Sequence, residues 1–190
     1  MKGSWVAVVA LALGACVPDF AERGDAPVLL VVTQVEATAG GEGTGGAFLG
    51  SDVRDTKGGE FNDSVAVTLE NVPKNGRGVD PGRFNDAIIE SFEVKYFRTD
   101  GRNVEGVDVP YRITGGVTAF IPSGGTGEVA FTVVRHTAKE EPPLTQLADF
   151  GGSKLLTVTA QITLYGHTTG GKAVSATANL QITFGNFVKA

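Results

Sequence analysis

His136 and His167 are the only imidazoles in the chain of 190 residues, so they bound the acid–base and metal chemistry it could perform. Each stands at the end of an alternating apolar segment, and the two segments are expected to run in opposite directions. Up-and-down strand order then places the histidines at opposite ends of the fold, too far apart for a shared metal. His136 with Glu140 or Asp149 stays open as a pair within one loop. The tripeptide Phe-Asn-Asp occurs at 61–63 and again at 84–86. One reading is a packing device, with Phe anchoring a loop and Asn and Asp closing turns on their own backbone. The other is an oxygen-rich calcium site built from Asp63 and Asp86 with Asp52, Asp55 or Asp80, although no EF-hand spacing is present.

Two glycine-rich stretches imitate phosphate-binding loops. Gly41-Glu42-Gly43-Thr44-Gly45-Gly46 fits G-x-G-x-x-G, but the segment after it cannot sustain the helix whose N-terminus would hold a pyrophosphate. Gly166 to Ala173 approaches a P-loop, yet Ala173 replaces the hydroxyl that would hold Mg²⁺ and an alternating strand follows. A hairpin through Thr169-Gly170-Gly171 is expected instead. No cofactor is expected. The segment 98–111, RTDGRNVEGVDVPY, places Arg98, Asp100 and Arg102 around an Asp-Gly turn and ends at Tyr111. Arg and Tyr are common interface anchors, so these four residues form a candidate recognition loop. The plainer reading is a solvated charged turn, worth little energetically.

The elements that must carry these residues announce themselves by alternation. Val174, Ala176, Ala178, Leu180, Ile182 and Phe184 alternate with Ser175, Thr177, Asn179, Gln181 and Thr183. Leu156 to Leu164 behave the same way against Thr157, Thr159, Gln161 and Thr163, and shorter versions occur at 65–70, 91–96 and 129–133. A period of two with one wet face predicts antiparallel strands packed on one side. Strands are expected at about 28–38, 64–71, 88–98, 114–121, 128–136, 154–166 and 172–184, with at most a helical turn in 143–149. The fold class is therefore all-β: an antiparallel two-sheet β-sandwich of about seven strands. In pattern it is similar to immunoglobulin or fibronectin type III domains, without the antibody Cys…Trp…Cys signature. Up-and-down order puts loops 39–63, 99–113 and 137–153 at one end, and loop 72–87 and the 167–171 turn at the other. Long loops are usually functional or disordered, so the first end is the expected working surface.

Composition narrows the partners. The formal net charge is −5, and without Lys2 it becomes −6. There is no basic run, so nucleic acid is not expected as a partner and anionic lipid would be repelled. Glycine, 27 of 190 residues, is in excess without a collagen-like period, which indicates many turns.

The one cysteine, Cys16, follows a leader-like segment: Lys2, an apolar core at Val6–Leu13, then Gly14 and Ala15. That core is far shorter than the ~20 residues a membrane span needs. Leu13-Gly14-Ala15-Cys16 resembles the lipobox of bacterial lipoproteins. The resemblance implies a signal peptide at 1–15, cleavage before Cys16 and diacylglyceryl attachment to its thiol. It covers the leader alone. An ordinary leader with an incidental thiol is the alternative. Val17 stands where an Asp would resemble the inner-membrane retention signal, so the resemblance implies the outer membrane of a Gram-negative envelope. Residues 16–27 read as a lipidated N-terminus and tether, and 28–190 as the folded domain. At ~3.3–3.6 Å per residue the tether reaches at most ~40 Å, which keeps the body near the bilayer.

The functional expectation is a lipid-anchored, non-enzymatic envelope module that binds another envelope protein or a polysaccharide. The runner-up is a carbohydrate-binding or adhesive module, for which exposed aromatics such as Phe97, on the polar face of its strand, would form a stacking platform. A hydrolase with paired carboxylates ranks third.

Overall fold

Leu156, Val158, Ala160, Ile162 and Leu164 turn inward and are buried, while the threonines and Gln161 between them reach solvent. That alternation, repeated along the chain, builds the molecule. The computed structural model describes residues 26–40, 46–54, 61–74, 82–150 and 153–187. Its strands are β1 (Val28–Thr38), β2 (Phe48–Asp52), β3 (Asp63–Pro73), β4 (Ala87–Phe97), β5 (Ile113–Ile121), β6 (Thr126–Val134), β7 (Leu155–Thr168) and β8 (Ala173–Gly185). They form a narrow three-stranded sheet, β1-β3-β6, and a wide five-stranded sheet, β2-β8-β7-β4-β5. Every pairing is antiparallel except β2 with β8. The chain is thus all-β.

Both sheets contribute to one buried apolar cluster, from Val65, Val67 and Leu69 of β3 to Ile162, Leu180 and Phe184 of β7 and β8. Contacts between the sheets are specific. Phe92 of β4 stacks on Phe131 of β6 with ring centroids 4.1 Å apart. The Tyr96 hydroxyl donates to the Val133 carbonyl at 2.5 Å. Burial pushes the Tyr96 phenol well above its ordinary value; Arg135 opposes this and the charge of Asp63 adds to it.

Seven strands were expected and eight are present among the described residues. The extra one, β2, lies inside the expected 39–63 loop. Its inward positions are Leu49 and Ser51, with Val53 buried just after it, so a buried hydroxyl interrupts the apolar period that would have marked it. The expected turn in 143–149 corresponds to a 3-10 segment, Thr145–Phe150, and a short helix α1 (His136–Lys139) precedes it. Among the described residues no helix is long and apolar enough to cross a membrane.

Strand directions fix the two ends. The start of β1, the β3–β4 connection, the β5–β6 turn and the β7–β8 hairpin share one end. Asn71 ties that end together, its amide donating to the carbonyls of Asn85 at 2.9 Å and Ile121 at 3.2 Å. The connections β1–β2, β2–β3, β4–β5 and β6–β7 share the other end, referred to below as the loop end.

Candidate functional site

The β4–β5 loop gathers Arg98, Asp100 and Arg102 around one turn, with Tyr111 farther along it against Gly106, and its charges are spent on each other. The Arg98 guanidinium holds the Asp100 carboxylate through two donors, Nε at 3.0 Å and the terminal nitrogen. That contact, with the Arg102 backbone N–H, keeps the Asp100 carboxyl below its usual range and raises Arg98. Arg102 bonds Asp108, which is buried and also accepts the Val104 N–H. Arg112 bridges to Glu105 at 2.8 Å. Gly106 has φ of 76°, and a Cβ there would overlap the hydroxyl end of the Tyr111 ring, so Tyr111 packs against the turn. Asp100 and Arg102 stay exposed within these pairs, and Val104, Val107 and Tyr111 add apolar surface beside them. Internally paired guanidinium groups are poor anchors for a carboxylate partner.

The repeated Phe-Asn-Asp does neither thing its sequence suggested. Phe84 is 78% exposed and Phe61 40%, so neither ring anchors a loop. Asp63 is at the loop end and Asp86 at the other, which separates them as calcium partners. Instead of closing local turns, both carboxylates act at long range. Asp63 is buried and accepts from Gly40 N at 2.8 Å, Ser51 Oγ at 2.6 Å and Lys139 Nζ at 3.0 Å. It pins β2, β3 and α1 to one point. Asp86 accepts the Ser123 N–H at 2.9 Å, across to the β5–β6 turn. Asp55 and Asp80 lie outside the described residues, as do Cys16 and most of the 41–46 glycine run.

The histidines are at opposite ends. His136 opens α1 and faces the Asn62 side-chain oxygen, 2.9 Å from its N–H and 3.3 Å from Nδ1. His167, near the β7–β8 hairpin, is 3.2 Å from Glu90. The hairpin turn itself closes through Thr168 N to Lys172 O at 2.7 Å, with Gly171 at φ 79°, as expected for that segment. Among the described residues no group of three or more His, Cys, Asp or Glu side chains could hold a metal ion.

The chemistry gathers elsewhere, on the outer face of the wide sheet. Cross-strand register lays its side chains out in rows: Ser91, Tyr165 and Ser175; Glu93, Thr163 and Thr177; Lys95, Gln161 and Asn179; Phe97, Thr159 and Gln181. Thr157 and Thr183 close the series with their hydroxyls 2.9 Å apart. Strands ~4.8 Å apart and rows ~7 Å apart make this a lattice of hydroxyls and amides. On β7 and β8 it carries no charge from Thr157 to Tyr165 or from Ser175 to Thr183. Exposed Phe97 and Phe48 flank one row.

At one corner the lattice dips into an open trough of about 400 Å³ between β5, β4 and β7. Its floor is Gly115-Gly116, its walls Ser91, Glu93, Thr114 and Tyr165. The trough exists because of the glycines. Gly115 faces inward, where a Cβ would sit 2.7 Å from the Phe92 ring; Gly116 faces outward into open space, its nearest neighbour 3.9 Å away. A β-bulge opposite, between Ile89 and Ser91, shifts β4 in register. Glu93 bonds Lys95 at 2.9 Å and lies 3.7 Å from Arg112, and the Tyr165 hydroxyl is 3.5 Å from it. Sequence reading singled out Phe97 on this face and missed Tyr165, Glu93 and the glycine pair. A glycine pair inside a strand is the signal that could have found them. No family model, curated protein or solved structure matches the chain.

Proposed function

We propose that this chain is a lipid-anchored protein of the bacterial envelope, acylated at Cys16 and probing its surroundings with a non-enzymatic binding module. The body reads as a β-sandwich of immunoglobulin or fibronectin type III kind. The order β1-β3-β6 opposite β8-β7-β4 supports this, since it follows the A-B-E and G-F-C orders of that fold, with β5 beside β4 and β2 on the far edge. The observation that carries the binding role is the outer face of the wide sheet. A face of hydroxyls and amides laid out by cross-strand register and flanked by exposed aromatics suits a partner rich in hydrogen-bonding groups. An outer-membrane destination follows the lipobox reading.

Envelope fractionation with crosslinking tests both halves. Wild-type chain is expected in the membrane fraction and the Cys16→Ser variant in the soluble one; unchanged fractionation refutes the anchor. A photo-crosslinker at Gln161 is expected to capture envelope material in native membranes, and silence at that position refutes the binding face.

A further inference from the structure

We infer that the Gly115-Gly116 trough is a subsite for a neutral pyranose ring, the entry point for a polysaccharide lying on the wide sheet. The inference rests on the binding-module reading and narrows it to one ligand class. Charge selects the class first. Glu93, the one charged residue lining the trough, is met by Lys95 at 2.9 Å and by Arg112 at 3.7 Å, so its charge is compensated and the trough offers no free ion to a charged ligand. Shape selects it further. A pyranose has an apolar face and a rim of hydroxyls. Tyr165, 43% exposed, offers a ring for the apolar face, while Glu93, Ser91 and Thr114 offer acceptors and donors for the rim. The bare Gly116 Cα lets a sugar approach the backbone as no larger residue would. A volume of about 400 Å³ falls within the ~300–1,000 Å³ of small-molecule sites. Beyond the trough, Thr163, Gln161 and Thr159 continue down β7 to the row holding Phe97, which gives a chain of sugars somewhere to lie.

The test uses the full chain in a detergent without a sugar headgroup, titrated with cellohexaose, maltohexaose and mannohexaose by saturation-transfer NMR. At least one hexasaccharide is expected to bind. Tyr165→Ala, which removes an exposed ring, and Gly116→Val, whose side chain enters open space, should each weaken binding about tenfold, equivalent to ~1.4 kcal/mol. Gly116→Val should keep the wild-type circular dichroism, which separates blockade from misfolding. Tyr111→Ala, at the loop end, should bind as wild type. Binding of none of the hexasaccharides, or full binding by both trough variants, overturns the subsite. If that happens while the Gln161 crosslinker still captures envelope material, the subsite alone has failed; silence at Gln161 as well removes the binding face with it.

Discussion

Asp63 shows how one side chain can organise a whole end of a protein. Its carboxylate is 1% exposed and receives a backbone N–H, a hydroxyl and an ammonium from separate parts of the chain. Removing one member of a buried ion pair leaves the other unpaired, at a cost of about 3–5 kcal/mol. Asp63→Ala should therefore lower the unfolding free energy from urea melts by that amount, whereas an exposed pair such as Arg98–Asp100 should matter little when broken. A loss below ~1 kcal/mol for Asp63→Ala would contradict this assignment. Tyr96 adds a pH dependence. Its folded-state value lies above the ordinary ~10, so the stability it lends is complete below that value and is lost as pH rises past it. Wild type should lose stability between pH 10 and 12 more steeply than Tyr96→Phe, measured by urea melts; parallel curves would remove Tyr96 as the cause. None of this was legible beforehand. Phe61-Asn62-Asp63 and Phe84-Asn85-Asp86 are identical in sequence, and only long-range geometry gives their acids different partners.

At the scale of elements, the period-two pattern carried most of the information. It located β3, β4, β6, β7 and β8 to within a few residues, because each has a wet face and a dry one, and β1 and β5 lie where strands were expected between turn-rich segments. It failed at β2, where the inward Ser51 is satisfied by Asp63 rather than by apolar neighbours. It also passed over the Gly115-Gly116 break in β5, which is visible in the sequence but whose consequence depends on Phe92 and Tyr165 from other strands. The same period makes register strict. In β8, Leu180, Ile182 and Phe184 are buried and Gln181 and Thr183 face outward. Deleting Asn179 moves each residue beyond it to the opposite face or breaks its pairing with β7. That variant should lose cooperative unfolding; a wild-type-like transition would mean that β8 tolerates slippage.

For the whole molecule, the strand path divides the connections between two ends. The β3–β4 connection, the β5–β6 turn, the β7–β8 hairpin and the start of β1 occupy one end, and the β1–β2, β2–β3, β4–β5 and β6–β7 connections the other. The sequence foresaw this division, yet it directed attention to the loops, where Arg98, Asp100 and Arg102 have settled their charges internally. The more ordered surface is the side of the wide sheet, which a reading of loops alone does not reach. β1 enters at the turn end and lies zipped against β3 from Val28–Pro73 to Thr38–Ser64. Its hydrogen bonds run across the strand direction. A pull on the chain at Pro27 in line with β1 therefore strains those bonds together in shear rather than peeling them one after another. Under the proposed anchoring at Cys16, the tether would join the body where it best resists tearing.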